Sequence, residues 1–403
     1  MFLIRQSKPE DVSALLKLAK TVYFINLPPD EKIIAEKIDH SQRCFRKAAA
    51  GKKKNDRIVK AGSARQSSKA GVGLAAREAD SDMFMFSIIE ADSGVVVGTS
   101  QVRAHMGGPA DPNWRMCVRE KHFHASSIGF GTTHTTMQLD GDESGPTEVG
   151  GLVLDPGFRG HPLRPGRQIA YVRFHWIGLR RALFAGTVLG EMMGSVNEKG
   201  ESVFWDAFGR KFFPVSYPEA DRFCQVNRAF ISELFPKEEI YITLLPLEVQ
   251  NLVGVVARDT LPARRLLESL GFAYRGFVDP FDGGPHLDAP TDTIPLVSRT
   301  EALVLGKATT PDRCNERAVV STLSSDGEFR AVECAAEFVA DGTSVRMTPE
   351  SMAVLGVDAG AKVGATPLGT FGVLSPARKE LPTVEVTAKK PQKPRATRKR
   401  VRA

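Results

Sequence analysis

Apolar and polar positions along the chain follow two periods in turn. Leu3–Arg5 has the length of a short strand. Lys8-Pro9-Glu10-Asp11 then opens a helix that sets Leu15, Leu18, Ala19 and Val22 on one face. Met83–Glu90 and Val95–Ala104 are apolar runs of strand length around Asp92-Ser93-Gly94, a hairpin signature. Val149–Leu154 is a short apolar strand that ends in Asp155-Pro156. After a turn rich in Gly, Arg and Pro, apolar residues at 169, 172, 176 and 179 predict a helix over Arg167–Phe184. Thr187–Met193 reads as a strand, Ser202–Phe208 starts a helix, and Leu261–Leu270 is a helix with Gly271 as its C-cap. From residue 301 the pattern changes to short strands and turns (ALVLG, RAVVSTL, FRAVECAAEFV, SVRMT, AKVGATPL), with a helical turn inside MTPESMAVLG.

These elements predict an α+β (mixed α/β) fold: a central mixed sheet flanked by helices over residues 1–300, then a small β-rich domain over 301–375. The β-rich part has no cluster of His, Asp or Glu and is expected to serve structure or oligomerisation. The chain's 403 residues, 42% apolar and 25% charged, suit a soluble globular protein. No apolar run approaches the roughly 20 residues that span a bilayer, and the first apolar stretch is short for a secretory signal, so a cytoplasmic enzyme is expected. Cysteines 44, 117, 224, 314 and 334 are scattered with no CxxC spacing, which points away from a disulfide framework or a zinc site.

The net charge of +7 misleads as an average. Residues 43–69 sum to +9 and residues 389–402 to +8, so the rest of the chain is acidic. Both basic segments are poor in aromatics and rich in small residues or proline. They read as a mobile insertion (about 43–82) and a disordered tail (376–403). Contact with nucleic acid through them is the sharper alternative, but no aromatic interleaves with the charges.

Two local strings carry chemistry. In LDPGFRGHPLRPGRQIA, residues 154–170, a strand gives way to a Gly/Arg loop and then a helix. Such a loop turns backbone N–H groups and a helix N-terminus toward a diphosphate, and Arg159, Gly160, Arg164, Gly166 and Arg167 are the candidate contacts. An ordinary βα loop would have the same outline. The string ARRLLESLGF, residues 263–272, is an amphipathic helix that ends in Gly-Phe. Together with the order strand, helix, hairpin, strand, loop, helix, strand, helix, these strings resemble the GNAT-type acyl-CoA N-acyltransferases. The loop here is longer than that family's R/Q-x-x-G-x-G/A, and it contains Pro162 and Pro165.

A wider set of strings resembles the arginine N-succinyltransferases over residues 1 to about 375, most densely from 122 to 286. They are HAS at 124–126, D-x-S-G-x-T-E at 142–148, LDP at 154–156, GEMMG at 190–194, FWDAFGRKFF at 204–213, AFISELFPKEEIY at 229–241 and DPFDGGP at 279–285. The resemblance implies transfer of succinyl from succinyl-CoA, a co-substrate rather than a resident cofactor, to the α-amino group of L-arginine. It also implies assembly into homo- or hetero-oligomers. Direct attack of an amine on a thioester needs a proton acceptor, an oxyanion donor and a cation site, but no covalent intermediate.

Glu148 begins the strand before the loop and is the first candidate for the base, with a strand-end ion pair as the equal alternative. His124, in the HAS string, is the second catalytic candidate, and His134 is weaker. Glu191, Asp282, Gly283 and Gly284 are candidates for holding the cationic substrate, since a guanidinium calls for carboxylates. Arg210, Lys211 and Arg275 are candidates for the succinyl carboxylate. Tyr217 is the conceivable thiolate acid. The acceptor alternatives are ornithine or a polyamine. The alternative of another class is a non-catalytic protein of the same fold that binds nucleic acid through its basic arms.

Overall fold

The computed structural model describes residues 1–21, 27–51, 81–197, 199–226, 228–369 and 383–385. In chain order, β1 (Phe2–Gln6) leads into α1 (Val12–Ala19) and α2 (Glu31–Ala49), followed by the hairpin of β2 (Met83–Glu90) and β3 (Val96–Arg103). Helix α2 corrects the sequence reading, since residues 43–49 of the expected mobile insertion form its last turns. The side chain of Asp30 caps it by accepting from the Ile33 amide at 3.0 Å. Ile33, Ile34, Ile38, Cys44 and Phe45 recur along its buried face. Phe45 then packs edge-on to Phe84 and close to Trp176, with ring centroids 5.0 Å apart in each case. The charges at 43, 46 and 47 sit on the opposite face, so a basic composition concealed an amphipathic helix. The remainder of the expected insertion, 52–80, and residues 376–382 and 386–403 of the expected disordered tail lie outside the described residues. The piece between, Thr383–Glu385, is a strand that pairs in parallel with Glu120–His122, where disorder was expected.

Next come a long hairpin, β4 (Asn113–Ala125) and β5 (Phe130–Asp142), then β6 (Thr147–Leu154), α3 (Pro165–Leu179) and β7 (Thr187–Glu191). Helices α4 (Val203–Ala207), α5 (Tyr217–Val226) and α6 (Ala229–Leu234), with β8 (Ile240–Tyr241) and α7 (Leu247–Gln250), form a layer of their own. There Phe204, Trp205, Phe208 and Phe235 bury against Met116, Met137 and Phe281. Helix α8 (Leu261–Ser269) ends at Gly271, whose φ of +96° fits the expected C-cap. Strands β9 (Ala273–Val278) and β10 (Pro285–Pro290) follow, then α9 (Pro295–Ser298).

The C-terminal strands are β11 (Glu301–Leu305), β12 (Glu316–Leu323), β13 (Phe329–Phe338), β14 (Ser344–Met347) and β15 (Lys362–Pro367), with α10 (Pro349–Leu355) before the last. They close into a ring in the order β12-β15-β11-β14-β13-β12, parallel only at β11/β14. Closure removes exposed edges and encloses Leu303, Val320, Val332 and Met347. The ring is also sewn to the N-terminal sheet, since β13 pairs with β1 through Ile4↔Ala331 and Arg5↔Arg330.

From β1 the sheet runs β1-β2-β3-β6-β7-β10-β9-β4-β5-β8. Every neighbouring pair in this run is antiparallel except β6/β7. Helix α3 joins the sheet to the ring through His175. This histidine is fully buried and its two ring nitrogens lie 2.6 Å from Thr366 Oγ1 on β15 and 2.6 Å from Ser321 Oγ on β12.

Candidate active site

The parallel β6/β7 step is also the place where the sheet opens. Thr147 pairs with Val188 and Glu148 with Leu189, and among the described residues no further rung joins β6 to β7. Beyond that point β6 carries a bulge, spending one residue more than β3 between Gln101↔Gly150 and Thr99↔Val153. Gly151 takes a φ of +57° there, and a Cβ on it would stand 2.9 Å from Gln101 Cγ. Gly190 on β7 lets α8 approach, since a Cβ would meet Leu267 Cδ1 at 2.7 Å.

The Gly/Arg loop lies at the far end of β6. Asp155 accepts from the Gly157 amide at 2.8 Å, and Gly160 has a φ of +77°. Arg164 is the only non-glycine among the described residues with positive φ, at 49°, and its carbonyl accepts from the amides of Arg167 and Gln168. Pro165 then starts α3. Arg159 and Arg164 are exposed, with Arg159 3.6 Å from the exposed Asp259. Arg167 is held differently: its guanidinium pairs with buried Glu333 of β13, which also accepts from Arg317 at 3.0 Å. The loop thus presents Arg159, Gly160, Arg164 and Gly166 on one surface turn, with Arg167 braced against the ring.

Glu148, buried on β6, faces Arg103 of β3 across the register, with Nε to Oε2 at 3.7 Å. Arg173 on α3 is fully buried. Burial holds its guanidinium down to about 9, against the opposing pull of Glu148. Glu148 thus lies beside two guanidiniums, one on β3 and one on α3. His124 is not brought near it. It is exposed toward the tip of the β4/β5 hairpin, opposite Gly131 and 3.5 Å from Ser126 Oγ. Strand β4 lies four strand spacings from β6, about 19 Å at the usual ~4.8 Å each. His134 on β5, opposite Lys121, lies one strand spacing farther still.

Glu191 ends β7 just past the opening, and His286 on β10 is its cross-strand partner, with Nε2 4.0 Å from Oε1. Asn113 of β4 donates to the same Oε1 at 2.7 Å and accepts from Arg228 Nη1 at 3.2 Å. Asp279, at the end of β9, completes the group. One donor atom each from Glu191, Asp279 and His286 lie within 4.8 Å of one another. Among the described residues this is the one such trio of His and carboxylate donors. The guanidinium of Arg228, tied to Glu191 through Asn113, offsets part of the negative charge of the trio.

The turn 279–285 is held by its own carboxylates. Asp279 Oδ1 accepts from the amides of Phe281 at 2.7 Å and Asp282 at 3.1 Å. Asp282 spends both oxygens on backbone, accepting from Gly284 at 2.8 Å and Gly194 at 2.9 Å. Gly283 has a φ of +70°, and a Cβ on Gly284 would lie 2.0 Å from the Met192 carbonyl oxygen. Asp282, Gly283 and Gly284 therefore clamp the segment after β7 to the turn after β9, and Asp279 faces the cluster. Burial raises the Asp279 carboxyl, with Glu191 adding to it and His286 and Arg228 opposing. Burial, then the charge of Asp279, pushes Asp282 well up. Asp221 on α5 is raised to about 7, again by burial first and Asp279 second. Tyr217 is buried beside these acids and raised by burial, then by Asp282.

The remaining candidates are partnered on the surface. Arg210 pairs with Asp206 at 2.9 Å and Arg275 with Asp288 at 2.6 Å, while Lys211 is exposed. Sequence reading missed His286, Asp279, Asn113 and Arg228. Asp279 opens the DPFDGGP string and His286 stands one residue past it. Asn113 and Arg228 belong to elements remote in sequence and had no local signal.

The model of the family described as arginine N-succinyltransferase beta subunit matches residues 63–296. An arginine N-succinyltransferase of Yersinia pestis (strain Pestoides F) is 32% identical over 286 residues, 70% of this chain and 80% of that protein. The arginine N-succinyltransferase subunit beta of Pseudomonas aeruginosa is 29% identical over 369 residues, 91% of this chain and 98% of that protein. In three dimensions the chain resembles arginine/ornithine succinyltransferase subunit AI from Pseudomonas aeruginosa. That match has a TM-score of 0.71 and 23% identity, over 92% of this chain and 99% of that one.

Proposed function

The chain belongs to the arginine N-succinyltransferase family, and from that premise we infer that it transfers succinyl from succinyl-CoA to the α-amino group of L-arginine. The observation that carries the reading is the parted β6/β7 pair, with a Gly- and Arg-rich loop and a helix N-terminus at the end of β6 and a carboxylate at the end of β7. The chain order strand, helix, hairpin, strand, loop, helix, strand supports a GNAT-type arrangement, with α4–α7 inserted between β7 and α8.

In this reading the coenzyme A diphosphate lies on the loop, against backbone amides and the positive end of α3, with Arg159, Gly160, Arg164 and Gly166 around it and Arg167 behind. The pantetheine arm follows the opening between β6 and β7 toward Glu191. Glu191 and Asp279 hold the cationic acceptor, and the clamp of Asp282, Gly283 and Gly284 fixes their spacing. Glu148 keeps the opening in shape through Arg103 and Arg173. The amine lone pair attacks the thioester carbonyl, the carbon–sulfur bond breaks, and coenzyme A leaves as the thiol. The family description as a beta subunit supports assembly with a second kind of subunit.

Thiol release by the purified protein tests this directly. Release should require both succinyl-CoA and L-arginine, and should fall away with acetyl-CoA. Turnover with ornithine or a polyamine but not arginine would move the substrate, and hydrolysis indifferent to any amine would overturn the reading.

A further inference from the structure

His286 stands out once the rest of the cluster is accounted for. It is only 3% exposed, and neither ring nitrogen has a hydrogen-bond partner. A buried polar group left so costs roughly 1–3 kcal/mol. The same fold gives its other buried imidazoles partners, since His175 engages a hydroxyl at each nitrogen and His40 Nε2 lies 2.9 Å from the Ser81 carbonyl oxygen. His286 is left open at the point where the β7/β10 pair meets the opening of the sheet, across from Glu191 and beside Asp279.

We propose that His286 is the base that takes the proton from the incoming ammonium, with Glu191 and Asp279 drawing the cation against it; this rests on the acyltransferase reading above. The charged groups facing it are Glu191 from β7, Asp279 from the turn after β9 and Arg228, which reaches Glu191 through Asn113 of β4. Asp282 and Asp221 stand behind Asp279. A neutral imidazole accepts one proton from R–NH3+, which frees the lone pair to form the carbon–nitrogen bond. The second N–H proton leaves as the carbon–sulfur bond breaks and ends on the coenzyme A thiolate. The proton on His286 then passes to water.

The test compares wild type with His286→Gln, following kcat and KM for both substrates from pH 6 to 9.5. Wild-type kcat should rise with unit slope at the acidic end and level off. The variant should lose about 10²–10⁴-fold in kcat. It should keep its KM for succinyl-CoA and its urea midpoint, and its residual rate should climb with pH without levelling, as the free amine replaces the lost base. A variant that keeps a wild-type kcat and profile overturns the proposal while leaving the acyltransferase reading intact. If the variant does not fold, the wild-type profile decides alone, and a flat acidic limb overturns the proposal. Activity abolished by EDTA and restored by Zn2+ or Mn2+ would also overturn it, because the trio would then be ligating a metal. A wild type silent with every amine sinks both readings together.

Discussion

His175 offers a quantitative test of how the Gly/Arg loop after β6 is held in place. The loop's helix, α3, reaches the C-terminal ring through Arg167 at its start, paired with Glu333, and through this imidazole, set between Ser321 and Thr366. Burial lowers its pKa from 6.5 to about 3, so the folded protein holds it neutral through the whole physiological range. The unfolded chain binds its proton below about pH 6.5 and the folded chain does not. Stability must therefore fall as pH drops through 6.5 and keep falling toward 3. At about 1.4 kcal/mol per unit, the loss from pH 7 to pH 5 comes to about 2 kcal/mol from this group alone. Other buried groups titrate as well, so the informative quantity is a difference between two proteins. His175→Gln keeps a donor and an acceptor near the two hydroxyls but has no proton to gain. Urea unfolding at pH 7, 6 and 5, at fixed ionic strength, should show wild type losing about 2 kcal/mol more than the variant across that range. Curves that stay parallel would mean that the folded protein accommodates the charged imidazole, and the proposed neutral bridge would be wrong.

Asp221 should behave with the opposite sign. Its carboxyl is raised to about 7, so the fold favours the protonated form and loses stability as pH climbs from about 4 to 7. Asp221→Asn should then be the more stable protein at pH 8, by about 2–4 kcal/mol, with the gain vanishing near pH 4; an equal urea midpoint at both pH values would refute this. Gly284→Ala would set a Cβ 2.0 Å from the Met192 carbonyl oxygen and 2.5 Å from the Gly194 amide. It should cost more than about 3 kcal/mol or abolish soluble expression, and a wild-type midpoint would show that the clamp yields easily. Replacing Arg159 and Arg164 together by Ala should raise the KM for succinyl-CoA at least about tenfold, with the effect shrinking in high salt, and leave the KM for arginine alone. A change confined to arginine would place the loop on the wrong substrate.

What the sequence could disclose was whatever a local period or a short string encodes. The β2/β3 hairpin, the turn after β6, helix α3 and the Gly271 cap all rest on neighbours in sequence, and reading the chain finds each of them, although α3 starts two residues before the expected Arg167 and ends five before the expected Phe184. Helix α2 obeys a local period too, but lysines and arginines on its outer face drew attention away from Ile34, Ile38 and Phe45 on its inner one. The β4/β5 hairpin alternates likewise, with Met116 and Val118 inward between charged residues, and went unread. The candidate site differs in kind. Glu191 and Asp282 stood out through their strings, yet their roles diverge because of backbone amides that no string reports. Asp279 and Asp282 are three residues apart and chemically alike. Only the path of the turn decides that one spends both oxygens on Gly194 and Gly284 while the other faces His286. Asn113 and Arg228 are 115 residues apart and meet only because β9 brings β4 alongside the strands that carry Glu191 and His286. An isolated histidine carries almost no weight in a sequence, because a satisfied core residue and a base look the same there. The distinction between His175 and His286 lies in whether two hydroxyls are waiting for the ring, and that is a property of tertiary packing.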